Sequence, residues 1–344
     1  MARINLLTIH WGSSYGGVMQ TYATVRLLEN LGHKVQVINL IPPKEKISLL
    51  LSHNHTLSFW IRHIQFAFFR HKYIGHFTRR MYSLQNSKIP ECDYTIVGSD
   101  QVWNKDITGP LCLNYFLDFV DNNRRISLSS SFGKAIWEED EAYTNHVKEL
   151  LSHFKAISVR ESSAQSICHN TFGLCATCLL DPTLLLGNYD AIVKKGRNKN
   201  ILYPFLLGKN DPLKQEICQI LAKELDTPLY MPNKFESFFM RSPKSWLDMM
   251  RNSQFIITDS FHGLAFSVIF NKDFYVLSTK NPKQFTRLES LLQLLGLRNR
   301  FIESVDDLVN RIDSLKAPVD YKRVEEVLAR ERDKFQYFMT HSLE

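Results

Sequence analysis

Short apolar runs alternate with longer stretches of helical periodicity along the first half of the chain. Residues 4–9 predict a buried strand, residues 18–31 predict a helix closed by Gly32, and residues 35–40 predict the next strand. A strand, a helix and a strand in this order favour a parallel sheet. Further strands are predicted at residues 94–97, 126–129, 156–159 and 177–180.

The second half repeats this alternation. Strands are predicted at residues 200–206, 228–231, 255–257 and 275–277, and helices at residues 212–225, 245–252, 287–295 and 319–338. Asp181-Pro182 interrupts the pattern, and a polar, basic stretch follows it. We therefore predict an α/β protein of two facing doubly wound, Rossmann-like domains at residues 1–185 and 186–316, followed by a C-terminal helix at 317–344.

Size and charge refine this picture. A chain of 344 residues with 44% apolar content favours two cores. The formal charge of +7 is uneven, because no Asp or Glu occurs from Lys46 to Pro90. The basic apolar segment 47–88 is typical of a membrane-surface element or a partner groove. The alternative is a core-packed helix with a solvated basic face. No recognised nucleic-acid motif accompanies the charge, so no nucleic-acid partner is expected.

Cysteine usage and the N-terminus point to a reducing compartment. Six cysteines accompany an N-terminus without the apolar region of a secretory signal, so we expect a cytoplasmic protein. No apolar run is long enough to span a bilayer. Cys175 and Cys178 have redox or zinc spacing, but no second pair follows. We therefore interpret these cysteines as buried or incidental, and we expect no metal site.

The most informative polar motif follows a short strand. Residues 255–257 lead into Thr258-Asp259-Ser260-Phe261-His262-Gly263 and then into a helical apolar run. His262 is thereby predicted at the carboxyl end of a strand, beside the N–H groups of a helix start, where open α/β sheets bind anions. This predicts a catalytic cleft. The alternative is a helix entry in which Ser260 caps and Gly263 permits a tight turn.

Two other polar loops follow predicted strands. Residues 11–17, Trp-Gly-Ser-Ser-Tyr-Gly-Gly, lack the G-x-G-x-x-G order, so a nicotinamide site has little support. Their glycines instead allow close backbone approach to a sugar or phosphate. Residues 98–104, Gly-Ser-Asp-Gln-Val-Trp-Asn, gather polar side chains around one indole.

These motifs occur together in a known family. The relevant runs are Ser14-Tyr15-Gly16-Gly17-Val18-Met19-Gln20-Thr21-Tyr22-Ala23, Gly98 to Asn104, Ser158-Val159-Arg160-Glu161, Leu180-Asp181-Pro182-Thr183 and Asp259-Ser260-Phe261-His262-Gly263. In this order they resemble the polysaccharide pyruvyl transferase family, over about residues 4–302.

The resemblance implies a glycosyltransferase-B-like architecture and transfer of pyruvate from phosphoenolpyruvate to a sugar as a cyclic ketal. The acceptors in such families are saccharides of capsules, exopolysaccharides or cell-wall polymers, often carried on a polyprenyl diphosphate. The N-terminal domain is then the acceptor side and the C-terminal domain the phosphoenolpyruvate side. We expect phosphoenolpyruvate as co-substrate and no cofactor. The basic apolar segment would hold the protein at the inner face of the cytoplasmic membrane.

Ketal formation needs an acid, cationic clamps and a base. His262 is the predicted acid, because an imidazole beside a bound phosphate is favoured in its protonated form. Arg160 matches the family's Val-Arg-Glu position and is predicted to clamp a carboxylate or phosphate; the alternative is an ion pair with Glu161 or a neighbour. The remaining predicted donor-binding residues are Ser260, Gly263 and Arg287.

One position departs from the family. Better-known relatives carry Arg-Leu-His where this chain has Ser260-Phe261-His262. A guanidinium that they use on the donor is therefore absent here. Either Arg287, Lys280 or Lys283 replaces it, or the donor is held differently.

The predicted acceptor residues lie in the N-terminal domain. Asp100 is the predicted base for one sugar hydroxyl, and the Trp103 indole, framed by polar neighbours, is a predicted sugar platform. The alternative makes Asp100 a turn cap and Trp103 a core residue. The other acceptor-side candidates are Tyr15, Gly16, Gln20, Gln101 and Asn104.

Two rival functions fit the same frame. A glycosyltransferase would use a nucleotide sugar and release a nucleoside diphosphate. A non-catalytic saccharide-binding protein would bind carbohydrate whether or not His262 is present. Fold alone does not separate these classes, although polar motifs at strand ends favour an enzyme.

Overall fold

The structure is a computed structural model that describes residues 1–42, 57–84, 88–207, 211–233, 236, 241–278 and 282–344, with the backbone alone for 282–286. The chain forms two compact units, Met1–Leu186 with Glu331–Glu344, and Gly187–Arg330. Each contains a sheet of parallel strands. The predicted α/β class with parallel, doubly wound sheets is therefore confirmed.

The first unit is built on a six-stranded sheet. Its strands are β1 (Arg3–Leu7), β2 (Lys34–Val37), β3 (Tyr94–Val97), β4 (Arg125–Ser130), β5 (Phe154–Val159) and β6 (Thr177–Cys178), in the order β2-β1-β3-β4-β5-β6. Ile4 lies opposite Val35 on one side and opposite Tyr94 on the other, so the strand order reverses between β1 and β3. Doubly wound sheets bind ligands outside the carboxyl ends of strands at such a switch point.

A further stretch extends this sheet beyond β2. Residues 76–81, here called the edge segment, pair in parallel with the chain at and after β2, with Phe77 opposite Val37 and Met81 opposite Leu40. The Val37 N–H donates to the His76 carbonyl at 2.8 Å, and the Met81 N–H donates to the Asn39 carbonyl at 2.9 Å. The edge segment therefore covers the outer edge of β2, whose N–H and C=O groups an open edge would leave unpaired.

The helices of the first unit begin at polar residues that the sequence supplies. They are α1 (Tyr15–Asn30), α2 (Leu57–Phe69), α3 (Lys105–Thr108), α4 (Glu141–Ser152), α5 (Ser162–Asn170) and α6 (Pro182–Leu186). Ser14 caps α1 by accepting a 3.3 Å hydrogen bond from the Gly17 N–H, and Gly32 follows the helix with a φ of +85° that favours glycine. A π-helical turn, Arg70–Ile74, continues α2.

The second unit has a smaller sheet of the same kind. Its strands are β7 (Lys199–Phe205), β8 (Ser253–Thr258), β9 (Asp273–Leu277) and β10 (Phe301–Ile302), in the order β10-β9-β8-β7. Leu229 forms a parallel bridge with Leu202 on the free side of β7, so the chain order again reverses next to the first strand. The helices are α7 (Pro212–Glu224), α8 (Pro243–Asn252), α9 (Phe261–Ile269), α10 (Pro282–Leu294) and α11 (Val305–Leu315).

A long C-terminal helix, α12 (Tyr321–Leu343), follows as predicted. Its residues from Glu331 onward belong to the first unit, where Met339 is fully buried and the Tyr94 hydroxyl donates to the Leu343 carbonyl at 3.4 Å. Within the described part of the chain, no helix combines the length and the apolar character needed to cross a bilayer.

The structure shortens one predicted strand to a single bridge. Residues 228–231 pair with β7 only around Leu229, because Pro228 has no N–H for the ladder and the Met231 side chain is exposed. The helix predicted at 287–295 begins earlier, at Pro282, a residue that suits the first turn of a helix.

Candidate active site

The His262 motif forms a tight connection between β8 and α9. The Thr258 hydroxyl donates to the Phe205 carbonyl at 2.7 Å and accepts a hydrogen bond from the Ser260 N–H at 3.1 Å. A Cβ on Gly263 would lie 2.0 Å from Thr258 Oγ1 and 2.9 Å from a ring carbon of Phe205. Gly263 is therefore the residue that lets the first turn of α9 pack directly on the end of the strand.

Ser260 stands at the N-cap position with an extended backbone but makes no side-chain capping bond. The alternative in which its hydroxyl caps α9 is therefore not what the structure contains. His262 lies in the first turn of α9, is half-buried, and meets the Phe261 ring edge-on at 5.3 Å. The helix start places N–H groups next to this imidazole, an arrangement that favours anions.

A buried ion pair between Asp259 and Lys214 holds the motif in place. Asp259 is 1% exposed; its Oδ1 accepts a 2.7 Å hydrogen bond from the Leu207 N–H, and its Oδ2 lies 2.7 Å from Lys214 Nζ. A buried ion pair needs such additional hydrogen bonds to offset desolvation. The pair ties α7 and the end of β7 to the end of β8. Sequence reasoning missed Lys214, which is distant in sequence and lies in an ordinary helical pattern.

The other predicted donor residues of the second unit are less defined. Arg287 lies on α10 and is partly exposed. Lys280 and the side chain of Lys283, both considered as substitutes for the absent guanidinium, lie outside the described residues.

Arg160 is buried in a cluster of carboxylates at the carboxyl ends of β3 to β6. Its Nη1 donates to Asp181 Oδ2 at 3.0 Å and lies 3.8 Å from Asp100 Oδ1, and its Nε lies 3.5 Å from Glu161 Oε2. Burial alone would lower the pKa of Arg160, but the three carboxylates raise it above its ordinary value. One guanidinium thus faces three carboxylates. The local charge opposes a further anion, so this environment favours the ion-pair alternative over the predicted clamp.

The carboxylates of this cluster are themselves well bonded. Asp181 is fully buried and also accepts hydrogen bonds from the Ser99 hydroxyl at 3.0 Å and from the Thr183 hydroxyl at 2.7 Å. The Ser131 hydroxyl donates to Glu161 at 2.5 Å. These bonds join the loops that follow β3, β4, β5 and β6, so the cluster fixes the edge of the sheet where the acceptor residues were predicted.

Asp100 is the most unusual residue of that edge. It has a φ of +81°, which is uncommon for a residue with a Cβ and is best tolerated by Asn and Asp. Its Oδ1 accepts a 2.9 Å hydrogen bond from the Gln101 N–H, and its side chain keeps 18% of its surface exposed. Such strained, partly exposed positions at strand ends concentrate at functional sites.

The residues after Asp100 serve the local structure. Asn104 is 4% exposed; it caps α3 by accepting from the Asp106 N–H at 3.0 Å and donates to Gln101 Oε1 at 2.9 Å. The Trp103 indole is 2% exposed, stacks on Phe116 at 5.4 Å and donates to the Tyr115 carbonyl at 2.9 Å. Trp103 is therefore a core residue, as the alternative had it, and its burial opposes the predicted role as a sugar platform.

The polar groups around the loop between β1 and α1 also hydrogen-bond to one another. The Gln20 side chain is fully buried, and its amide nitrogen lies within hydrogen-bond distance of Ile9 O at 3.0 Å, Gly17 O at 3.0 Å and Thr8 Oγ1 at 2.9 Å. This buried amide holds the loop in shape, and Gly16, one helical turn earlier, is also buried. Tyr15 is partly exposed, with its ring 5.2 Å from Phe66 and beneath the Arg62 guanidinium at 5.2 Å.

The cysteine spacing at residues 175–178 carries no redox signature. Cys175 is exposed, and burial raises the pKa of the Cys178 thiol to about 11. Redox-active pairs need a thiol whose pKa is lowered. The described residues contain no group of three His, Cys, Asp or Glu side chains that could hold a metal ion.

The protein is thus of the α/β class and has two doubly wound units. Each unit has a polar motif at the carboxyl ends of its strands. The model of the family named Polysaccharide pyruvyl transferase matches residues 15–281, a span that includes the Tyr15, Gly98–Asn104, Arg160 and His262 motifs. The chain belongs to this family. The family supports transferase activity.

Curated proteins give no match to this chain. Similar solved structures include UDP-GlcNAc 2-epimerase from Neisseria meningitidis (9% identity, 99% of this chain and 100% of that one, TM-score 0.47). A UDP-glucosyltransferase from Polygonum tinctorium is 9% identical over 99% of this chain and 96% of that one, with a TM-score of 0.45. The glycotransferase of kitacinnamycin is 14% identical over 99% of this chain and 97% of that one, with a TM-score of 0.44. At these scores the likeness carries no argument about activity.

Proposed function

We propose that the protein transfers the pyruvyl group of phosphoenolpyruvate to two hydroxyls of one sugar as a cyclic ketal and releases inorganic phosphate. Membership of the pyruvyl transferase family supports the donor class. The observation that carries the proposal is the Thr258–Gly263 connection, in which a glycine without space for a Cβ holds His262 at a helix start that favours anions.

In the proposed mechanism His262 protonates the methylene carbon of phosphoenolpyruvate, and positive charge develops at the adjacent carbon. One sugar hydroxyl adds to that carbon as its proton leaves to a base. The bond to the phosphate oxygen then breaks, and the second hydroxyl adds with loss of its own proton. The products are the ketal and inorganic phosphate, with no change of oxidation state.

The anionic groups of the donor need cationic partners, and Arg160 is committed to carboxylates. We assign this role to Arg287, which lies in the same unit as His262 and is partly exposed. The N–H groups at the start of α9, with Ser260 at the N-cap, would add hydrogen bonds to the donor. The second unit is then the phosphoenolpyruvate side.

Asp100 is the proposed base for a sugar hydroxyl in the first unit. It is the only member of the carboxylate cluster named above that keeps more than 5% of its side chain exposed. Its positive φ departs from the geometry of a regular strand. Tyr15, partly exposed in the loop after β1, is an additional acceptor contact.

The acceptor is proposed to be a saccharide on a polyprenyl diphosphate, in capsule or exopolysaccharide biosynthesis. Support comes from α2, on which four apolar side chains follow helical spacing and are exposed: Leu57 by 66%, Trp60 by 39%, Ile64 by 65% and Phe68 by 62%. We call this the apolar stripe. With basic residues beside it, it suits a peripheral position at the membrane surface.

The decisive experiment incubates the pure protein with phosphoenolpyruvate and candidate lipid-linked glycans, and follows phosphate release and product mass. We expect a glycan heavier by pyruvate less one water, with the ketal carbon identified by NMR. An open enolpyruvyl ether has the same mass, and its vinyl signals would contradict ketal formation.

The same assay separates the rival functions. Turnover of a nucleotide sugar with release of a nucleoside diphosphate would replace the proposal by a glycosyltransferase. Carbohydrate binding without turnover of either donor would replace it by a saccharide-binding protein.

A further inference from the structure

A cavity in the first unit, lined by two arginines and several histidines, plays no part in the mechanism above. It has a volume of about 710 Å³ and opens at the carboxyl ends of β1 and β2, where Gly12 and Asn39 line it. Volumes of this size suit small ligands or polar head groups. Doubly wound sheets bind their ligands at this edge of the sheet, outside the carboxyl ends of the strands.

Three parts of the chain supply the basic lining. The loop after β1 contributes His10, α2 with its π-helical turn contributes His63, Arg70 and His71, and the edge segment contributes His76 and Arg80. None of the described residues that line the cavity is an Asp or a Glu. The lining therefore favours an anion strongly.

Hydrogen bonds hold the walls of the cavity in place. The Arg70 guanidinium donates to the Gly12 carbonyl at 2.9 Å, which holds the π-helical turn against the loop after β1. His10 lies between the Thr8 carbonyl and the Asn39 side chain, each 3.0 Å from a ring nitrogen. The edge segment is paired to β2. Such preorganisation lowers the entropic cost of ligand binding.

The apolar stripe lies on the same helix as this lining. Ile64 and Phe68 of the stripe are each one residue after lining residues, His63 and Ala67, so the two surfaces are neighbouring faces of α2. An anionic group in the cavity could thus be attached to an apolar chain along the stripe. Guanidinium groups from two separate segments match a group with more than one phosphate better than a single phosphate.

We propose that this cavity binds the diphosphate group that links a saccharide acceptor to its carrier lipid, an inference that rests on the proposed function. Arg70 and Arg80 provide permanent positive charge from separate segments, and the imidazoles of the π-helical turn and the edge segment add polar groups to the lining. The proposed donor residues His262 and Arg287 are not among the residues that line the cavity.

The test is calorimetric titration of the full-length protein with sodium pyrophosphate in the absence of phosphoenolpyruvate. Arg80→Gln should weaken pyrophosphate binding about tenfold, the loss expected for one charged hydrogen bond. Arg79→Gln is the matched control, because Arg79 is the adjacent arginine, is exposed like Arg80, carries the same charge and does not line the cavity. Equal weakening by both variants, or no binding of pyrophosphate to the unaltered protein, would overturn the proposal.

Two further arms identify the source of the phosphate. Vesicles that contain a polyprenyl diphosphate should bind the protein more tightly than vesicles of equal charge made with phosphatidylglycerol, and pyrophosphate should compete. If Arg80→Gln weakened phosphoenolpyruvate binding instead, the cavity would be a donor site and the proposal would fail. Because pyrophosphate binding is measured without the donor, a missing pyruvyl transfer activity would refute the proposed function and leave the binding result interpretable.

Discussion

Arg160 donates a 3.0 Å hydrogen bond to Asp181, and neither side chain exposes more than 2% of its surface. A buried guanidinium that already faces three carboxylates is a poor receptor for an anionic substrate. The motif Val159-Arg160-Glu161 is thus explained by the architecture of the sheet edge, because its charges bind the loop after β5 to those after β3 and β6.

Replacing Arg160 should therefore harm the fold before it harms donor binding. We expect Arg160→Met to reduce the free energy of unfolding by about 3–5 kcal/mol, because it leaves buried carboxylates without their counter-ion. Urea unfolding measures this effect, with the exposed Arg124→Met as control. If the Arg160→Met protein were stable but bound phosphoenolpyruvate more weakly, the predicted role of Arg160 as a donor clamp would be supported instead.

His262→Asn should slow phosphate release by about 100-fold or more, the range lost when a positioned acid is removed. The helix start is set by Thr258 and Gly263, so the variant should keep the thermal unfolding midpoint of the unaltered protein. His146→Asn, at an exposed position of α4, is the control. Normal turnover by His262→Asn would remove the imidazole from the mechanism.

Gly263→Ala should destabilise the second unit by about 1–3 kcal/mol, since the new methyl group would overlap Thr258 Oγ1 and the helix start must shift. Turnover should fall in parallel because His262 moves with the helix. Gly196→Ala provides the comparison: its Cβ would lie 3.4 Å from Asn252 Nδ2, an ordinary contact. Thermal unfolding of both variants checks the prediction, and equal midpoints would show that the strand-to-helix contact is not tight.

Lys272 should make stability depend on pH above neutrality. Burial, together with Lys195 and Arg251, lowers the pKa of the Lys272 amine to about 8. In the unfolded chain the amine titrates near ~10.4, so between these values the unfolded state binds more protons and stability rises with pH; below pH 8 the cost of the buried charge is fully present.

Lys272→Met should therefore be more stable than the unaltered protein at pH 7 and should lose part of the increase in stability between pH 8 and 10. Urea unfolding at pH 7 and pH 9.5 measures this difference, with the exposed Lys322→Met as control. The two variants would respond alike to pH if the ammonium group of Lys272 were as well solvated as that of Lys322.

The periodicity of the chain predicts most of the fold because local signals coincide with tertiary ones. Ser14 and Gly32 mark both ends of α1, and the alternation of strand and helix implies parallel sheets. Residues 228–231 show the limit of such signals, since an apolar, β-prone run contains a proline that leaves a single bridge. The pairing of the edge segment with β2 depends on long-range hydrogen bonds that no local pattern announces.

The chemistry of single residues was less predictable than their position. Arg160 and Trp103 lie at strand ends as expected, but their burial depends on partners distant in sequence, Asp181 and Tyr115. The basic character of the cavity was visible as a region without acidic residues, whereas its assembly from His10, α2 and the edge segment required three-dimensional structure. Lys214 gave no signal, because only folding brings it to Asp259.

The edge segment both covers the edge of β2 and lines the cavity. Because His76 and Arg80 stand on the same stretch whose backbone covers β2, that wall of the cavity is released only when β2 becomes an open strand. A bare parallel edge is a template for pairing with other chains. A ligand that holds this wall in place should consequently protect the protein against self-association.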